Sequence, residues 1–169
     1  MITQARLLQV ATYDPVEGCL YWKIKPANSI SVGDRIGSIS KRGYEECRID
    51  GKLYLTHRLV WLYTYGYFPK GIDHIDNNPS NNKLHNLREA NQEQNGYNHK
   101  QSKANKTGVK GLFYHKEQRT YIAKICVGKT THSIRFKQVE EGDAKVIAEA
   151  AIWFKKTRKL LHGDFTNHG

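Results

Sequence analysis

Hydrophobic and polar residues alternate along the first third of the chain, which predicts short strands joined by turns. Asp50-Gly51 separates two alternating runs, and this dipeptide is a strong signal for a hairpin. The pattern changes at Thr56, where apolar residues recur at helical spacing, so we predict a largely buried helix over 56–66 that ends at Gly66. The clearest strand-like runs are GCLYWKI at 18–24, RIGSIS at 35–40 and GYEECRID at 43–50.

Side-chain amides are dense between residues 71 and 95. Asparagine is unfavourable inside helices and strands because its amide competes with backbone hydrogen bonds. This density predicts a loop folded around side-chain hydrogen bonds, with a ligand or metal at its centre. Asn91 and Gln94 have the spacing of a capping box, which predicts a following helix with Asn95 in its first turn. The expected elements are a strand at 71–76, a loop at 77–85 and a short strand or turn at 86–88.

Basic residues are concentrated toward the C-terminus of this 169-residue chain, whose formal net charge is +11. Residues 105–169 contain 13 Lys and Arg against 6 Asp and Glu, whereas 66–104 contain 5 against 4. This distribution favours a protein whose flanking segments bind a polyanion and whose nearly neutral middle segment contains the reactive site. The alternative is an ordinary solvated basic surface.

Cysteine usage and hydropathy indicate the compartment. The three cysteines lie far apart and form no C-x-x-C pair, so we expect buried thiols in a reducing environment. No apolar run approaches the roughly 20 residues that span a bilayer, and the first residues lack the pattern of a secretory signal. We therefore expect a cytoplasmic protein with no membrane partner.

The motif DHIDNNPSNNKLHNL, followed by REANQEQN, resembles the HNH endonucleases. His74 opens the motif, Asn86 lies twelve residues on, and Asn95 lies nine after that. HRLVW at 57–61 is similar to phage and intron-encoded homing nucleases, and the whole resemblance covers about 13–100. It implies a β-hairpin and helix that bind one divalent metal.

The resemblance and the chemistry together suggest a role for each motif residue. A neutral imidazole, with a reference pKa near 6.5, suits His74 as the general base that deprotonates water. Asp73 and Asn95 would be catalytic as oxygen ligands for Mg²⁺ or Mn²⁺, and Asn86 would tie the loop together. Because adjacent strand residues point to opposite faces, we predict an irregular backbone near 73–74 that lets Asp73 and His74 serve one phosphate.

Three further side chains have open assignments. Arg58 is a candidate phosphate clamp, and membership of a surface ion pair is the alternative. His57 is more typical of a hydrogen-bonded structural residue than of a catalyst. His85 is expected to support the loop, with a phosphate contact as the less favoured alternative.

Residues 105–166 resemble the plant ethylene-response-factor DNA-binding domain, which also occurs appended to such phage nucleases. Three strand-like runs and an apolar helical stripe in this segment predict a three-stranded sheet packed on one helix, which spans 139–161. Strand alternation places Ile134 and Phe136 toward that helix. The predicted DNA-contacting residues on the sheet are Lys110, His115, Lys124 and Arg135, with simple solubility as the alternative role.

The predicted fold class is α+β, with N-terminal antiparallel strands, a central ββα-metal HNH motif and the C-terminal sheet on one helix. We expect a metal-dependent, homing-type HNH endonuclease that cuts double-stranded DNA at a long selected site, one strand per monomer, with dimerisation needed for two cuts. The alternatives are a catalytically inactive DNA-binding regulator and a ribonuclease or nonspecific nuclease. The predicted divisions are an N-terminal module at 1–55, the nuclease core at 56–100, a linker at 101–109 and the DNA-binding domain at 110–166.

Overall fold

The computed structural model describes residues 1–99, 101–102, 104–137 and 143–167. The chain forms two compact units, Met1–Asn91 and Gln92–Gly169. Helices and small antiparallel sheets occur in both units, which agrees with the predicted α+β class. No helix in the described ranges is long and apolar enough to cross a bilayer.

The first unit contains two helices and three small sheets. The sheets have the strand orders β1-β2-β3, β4-β5-β6 and β7-β8. The elements are α1 (Gln4–Val10), β1 (Ala11–Asp14), β2 (Cys19–Trp22), β3 (Arg35–Ile36), β4 (Ser38–Ile39), β5 (Glu45–Ile49), β6 (Lys52–Leu55), α2 (Thr56–Tyr65), β7 (Ile72–His74), a 3-10 turn (Leu84–Asn86) and β8 (Leu87–Glu89).

Helix α2 lies at the centre of this unit. Leu59 and Val60 are fully buried in a core that also includes Leu7 of α1, Leu20 of β2 and Leu87 of β8. The helix ends where predicted, because Gly66 adopts the left-handed conformation (φ 82°) and donates its N–H to the carbonyl of Leu62. The shared core joins the N-terminal strands and the HNH motif region into one hydrophobic body.

The Asp50-Gly51 hairpin is confirmed. Ile49 and Lys52 are paired across it, and both turn residues have positive φ, 49° and 74°, as a two-residue hairpin of this kind requires. Helix α1, in contrast, was not predicted. Thr3 caps it by accepting a hydrogen bond from the N–H of Arg6.

The backbone at 73–74 is regular, so the predicted irregularity there is wrong. Ile72, Asp73 and His74 pair in unbroken antiparallel register with Glu89, Arg88 and Leu87. The departure comes only after His74, where the strand ends and the chain turns, with a left-handed residue at Asn77 (φ 58°). Cross-strand pairing within a core is sufficient to keep these three residues extended.

Within its described residues, the second unit contains a three-stranded sheet, two helices and a 3-10 turn. The strand order is β11-β10-β9, and both pairs are antiparallel. The elements are α3 (Gln92–Asn98), β9 (Leu112–His115), β10 (Thr120–Val127), β11 (Thr130–Lys137), α4 (Asp143–His162) and the 3-10 turn (Gly163–Phe165).

The sheet and helix α4 of the second unit share a hydrophobic core, formed by Leu112, Tyr121, Ala123 and Ile125 with Val146, Ala150 and Phe154. Phe136 packs against this core as predicted, but Ile134 does not, because 36% of its surface is exposed on an edge strand. The predicted helix start at 139 lies outside the described residues.

Candidate active site

Asparagine side chains organise the loop that follows β7, and they do so around one carboxylate. Asp76 accepts hydrogen bonds from the Asn81 amide at 2.7 Å, the Asn86 amide at 2.9 Å and the Asn78 backbone N–H at 2.8 Å. Burial alone would raise the pKa of Asp76, but these hydrogen bonds outweigh it and lower the pKa. The density of amides thus builds the loop that lies between His74 and β8.

Asn86 bonds both limbs of this loop. Its side-chain oxygen accepts from the N–H of Asp76 at 3.1 Å, and its amide group donates to the Asn81 carbonyl at 2.9 Å. Its backbone carbonyl also accepts from the N–H of Ile75 at 2.9 Å, which extends the β7–β8 pairing by one bond. The described contacts of Asn86 lie within the loop it closes.

His74 ends β7 in a buried, largely aromatic environment. Its ring lies edge-on to the His57 ring, with centroids 5.0 Å apart, and 6.1 Å from the Tyr44 ring. Nε2 lies 3.1 Å from the side-chain oxygen of Asn82. Burial lowers the pKa of His74, although the Asn82 hydrogen bond and the charges of Asp76 and Asp73 act in the opposite direction. A lowered pKa keeps the imidazole neutral near pH 7, as a general base requires.

Asp73 has a different set of contacts from its neighbour. Nε and Nη2 of Arg88, its cross-strand partner, lie 2.8 and 2.6 Å from the Asp73 Oδ2. The two side chains are mostly buried, with 9% of Asp73 and 17% of Arg88 exposed. Adjacent residues of a strand point to opposite faces, and the separate partners of Asp73 and His74 reflect this.

The predicted phosphate clamp and the neighbouring histidines have local contacts. Arg58 donates to the Pro69 carbonyl at 2.9 Å and its guanidinium lies 5.5 Å from the centre of the Phe68 ring. His57 is buried, and burial, followed by the nearby charges of His74 and Arg58, lowers its pKa to about 3. Its Nδ1 is buried without a hydrogen-bond partner. His85 is exposed on the 3-10 turn.

Asn95 lies on α3, in the second unit. Its side-chain oxygen is buried and accepts no hydrogen bond. An amide oxygen in this state suits a hard cation such as Mg²⁺ or Mn²⁺, as does the carboxylate of Asp73. Over the described ranges, no group of three or more His, Cys, Asp or Glu side chains has the arrangement of a metal centre.

The predicted DNA-binding residues of the second unit fall into two groups. His115, Lys124 and Arg135 are exposed, and strand pairing places them on the face of the sheet opposite the core. Lys110 is different, because its ammonium donates to the carbonyls of Tyr97 and His99, and burial lowers its pKa to about 8. These internal bonds do not favour Lys110 as a DNA contact.

Sequence reasoning missed three side chains next to the predicted site. Arg88 pairs with Asp73, and Asn82 and Glu45 form a buried hydrogen-bonded chain that leads to His74. Asn82 could have been singled out within the amide-rich loop, but its neighbours in sequence are also asparagines. Nothing local in the sequence connects Glu45 to a residue 29 positions later.

Comparison with known proteins identifies a family match that spans the motif. The HNH endonuclease family matches residues 54–97, a range that contains Asp73, His74, Asn86 and Asn95. The chain is 37% identical to Protein 3.8 of Escherichia phage T7 over 111 residues, which are 64% of this chain and 85% of the relative. It is 35% identical over 111 residues to an uncharacterized HNH endonuclease of Acanthamoeba polyphaga mimivirus, covering 64% of this chain and 56% of the relative.

No solved structure matches the chain. The chain belongs to the HNH endonuclease family, and it is a nuclease. The predicted family is thus confirmed at the level of the HNH nucleases. Members of this family act on DNA and generally use a divalent metal.

Proposed function

We propose that this protein is a metal-dependent, site-selective DNA endonuclease of the homing type, with His74 as its general base. The observation that carries the proposal is the buried imidazole that ends β7, inside the segment that matches the HNH family, with its Nε2 3.1 Å from the Asn82 side-chain oxygen. His74 would take a proton from water, whose oxygen attacks phosphorus while the bond to the 3′ oxygen breaks. The products would carry 5′-phosphate and 3′-hydroxyl ends.

Asp73 and Asn95 are the proposed metal ligands, on the strength of the family resemblance and their oxygen donors. When bound, Mg²⁺ or Mn²⁺ would supply Lewis-acid stabilisation of the phosphate and leaving oxygens. Arg88 already neutralises one oxygen of Asp73. Its guanidinium therefore competes with any cation for that oxygen and, once displaced, could donate to a phosphate.

The second unit is the proposed DNA-holding module, similar to the plant ethylene-response-factor domain. Lys124 and Arg135 lie on one exposed sheet face, and residues 105–169 carry most of the net positive charge. The major groove of DNA admits a two-stranded β-ribbon, and strands β10 and β11 of this sheet form such a pair. We propose that this face supplies affinity and part of the site selection, and that one monomer nicks one strand.

Cleavage of supercoiled plasmid in Mg²⁺ or Mn²⁺ tests the proposed function directly. Wild type should convert the supercoiled form to open circles first, and His74→Ala should reduce the rate by about 10²–10⁴-fold, the usual contribution of a general base. His85→Ala is the matched control, because it removes an exposed histidine 11 positions along the same loop.

An RNA of the same length, incubated in parallel, distinguishes a ribonuclease from a deoxyribonuclease. Undiminished cleavage by His74→Ala would refute the assignment of the base. Preferential cleavage of the RNA would refute DNA as the substrate.

A further inference from the structure

Glu45, on β5, is a buried carboxylate that connects the N-terminal sheet to the proposed base. Only 1% of its surface is exposed. Its Oε1 accepts hydrogen bonds from Nε and Nη2 of Arg35 at 3.0 and 2.6 Å, and its Oε2 accepts from the Asn82 amide at 3.0 Å. Asn82, also 1% exposed, then contacts His74. All four residues belong to the first unit.

The carboxylate determines which way the Asn82 amide points. A carboxylate paired with a guanidinium can only accept hydrogen bonds, so the group that faces Glu45 must be the NH₂ of Asn82. The opposite end of the amide, its oxygen, is therefore the atom 3.1 Å from Nε2 of His74. An amide oxygen cannot donate, so Nε2 must carry the hydrogen of this bond.

A neutral imidazole carries one N–H, so a proton on Nε2 leaves the lone pair on Nδ1. Without the carboxylate, the Asn82 amide could rotate and offer its NH₂ to the ring, which would favour the other tautomer. The hydrogen bonds that link Arg35, Glu45, Asn82 and His74 thus determine which ring nitrogen of His74 can accept a proton.

We propose that Asn82 and Glu45 are positioning residues that hold His74 in the Nε2–H tautomer, with Nδ1 as the proton-accepting atom. The proposal rests on the proposed role of His74 as general base. It gives the N-terminal sheet a part in the chemistry, in addition to any contact with DNA, and it assigns a function to a buried carboxylate outside the HNH motif.

The test reads the tautomer without any cleavage. Long-range ¹H–¹⁵N correlation spectra of the full-length, metal-free protein, labelled with ¹⁵N-histidine, show which ring nitrogen carries the proton, and loss of signals in His74→Gln assigns the ring. Wild type should show the Nε2–H form. Asn82→Ala and Glu45→Gln should show a mixture of both tautomers.

Glu46→Gln is the matched control, because it removes the next carboxylate on the same strand, which is outside this hydrogen-bonded chain. Asn82→Ala leaves the Arg35–Glu45 ion pair in place, so it keeps the test valid if Glu45→Gln fails to fold. An Nδ1–H tautomer in wild type, or an unchanged tautomer in Asn82→Ala, would overturn the proposal.

Plasmid cleavage by the same variants completes the test. Asn82→Ala should lower kcat by about ten- to a hundredfold, the range typical when a metal-bound histidine loses the hydrogen-bond partner that orients it, with little change in KM for DNA. A changed tautomer with an unchanged kcat would refute the positioning role. Failure of the proposed function would appear separately, as full cleavage by His74→Ala.

Discussion

At the scale of single residues, the properties of Asp73 and His74 depend on the different hydrogen-bond partner that each one has. Asp73 is held by the guanidinium of Arg88, and His74 by the amide of Asn82. One partner carries a positive charge and the other is neutral. A metal cation could therefore replace the guanidinium as the partner of the Asp73 carboxylate. The neutral amide beside His74 is compatible with an uncharged imidazole.

Arg88→Ala should strengthen divalent-metal binding. Hydrogen bonds to charged groups contribute about 1.5–3 kcal/mol, so removing the competing guanidinium should tighten Mn²⁺ binding by roughly tenfold. Isothermal titration calorimetry of the DNA-free protein measures this affinity. Asp73→Asn is the control and should weaken binding sharply; equal Mn²⁺ affinities for wild type and Arg88→Ala would contradict the competition.

The buried His57 should make stability depend on pH. Its pKa is about 3 in the folded protein against 6.5 when unperturbed, so the unfolded state binds more protons between these values. The contribution of the neutral His57 to the free energy of unfolding is fully present above about pH 6.5 and decreases as pH falls. At about pH 5 the loss is roughly 2 kcal/mol. Urea unfolding from pH 7 to pH 5 measures the loss.

His57→Gln isolates that contribution, since the pKa of His74 is lowered as well and acts in the same direction. The variant should lose less stability on acidification than wild type. Identical losses in both proteins would show that His57 does not carry the effect.

At the scale of elements, the turn between β1 and β2 packs directly against the loop that holds Asn82. Gly18, in that turn, has a positive φ of 74°, and a Cβ atom there would lie 2.6 Å from the Lys83 nitrogen and 2.9 Å from the Asn82 carbonyl carbon. Both are backbone atoms, so relief requires one segment to move. Close approach of this kind is available only to glycine.

Gly18→Ala should therefore shift the Asn82 loop and reduce cleavage. Gly51→Ala is the control, because Gly51 has the same φ of 74° with no atom within 4 Å. Each variant should lose about 1 kcal/mol from the conformation itself, and Gly18→Ala should lose more and also lower kcat. Urea unfolding and plasmid cleavage measure the two effects; equal losses in both variants would exclude the steric contact.

Local signals predicted the elements better than they predicted the site. Gly66 and Asp50-Gly51 specify their turns through backbone conformation alone, and both predictions are confirmed. Asn82 and Glu45 could not be paired from the sequence, because their contact depends on how β5 packs against a loop 37 positions away. Pairing with β8 keeps 73–74 regular for the same long-range reason.

Helix α4 shows a similar limit. Its buried face contains Arg158, whose guanidinium lies 4.3 Å from the centre of the Phe154 ring and donates to the Lys110 carbonyl. Burial lowers the pKa of Arg158 to about 10. Hydropathy would place an arginine on the solvent side of the helix. The hydrogen bond to the carbonyl and the contact with the aromatic ring help to make its burial favourable.

At the scale of the whole molecule, charge and chemistry lie on different parts of the chain. Most of the excess of Lys and Arg is in residues 105–169, and the proposed base is in the first unit. Binding and cleavage should therefore respond to different substitutions.

Lys124→Ala and Arg135→Ala should weaken DNA binding and each reduce the slope of log affinity against log salt by about 1. Fluorescence anisotropy, with His74→Ala as the background to prevent cleavage, gives both quantities. Lys155→Ala on α4 removes an equal charge from an exposed site away from the sheet. If Lys155→Ala reduces affinity and salt dependence as much as the sheet variants do, the sheet face is not the DNA contact.

The position of Glu45 has a practical consequence for anyone who wishes to transplant this nuclease. The family match begins at residue 54, so a fragment cut to that boundary would discard the carboxylate, its arginine and the glycine turn beneath the Asn82 loop. Such a fragment would retain every motif residue and Asn82, but it would lose the carboxylate that orients the Asn82 amide toward His74. A transplantable nuclease fragment should therefore include the whole first unit, Met1–Asn91, and continue at least through Asn95, the second proposed metal ligand.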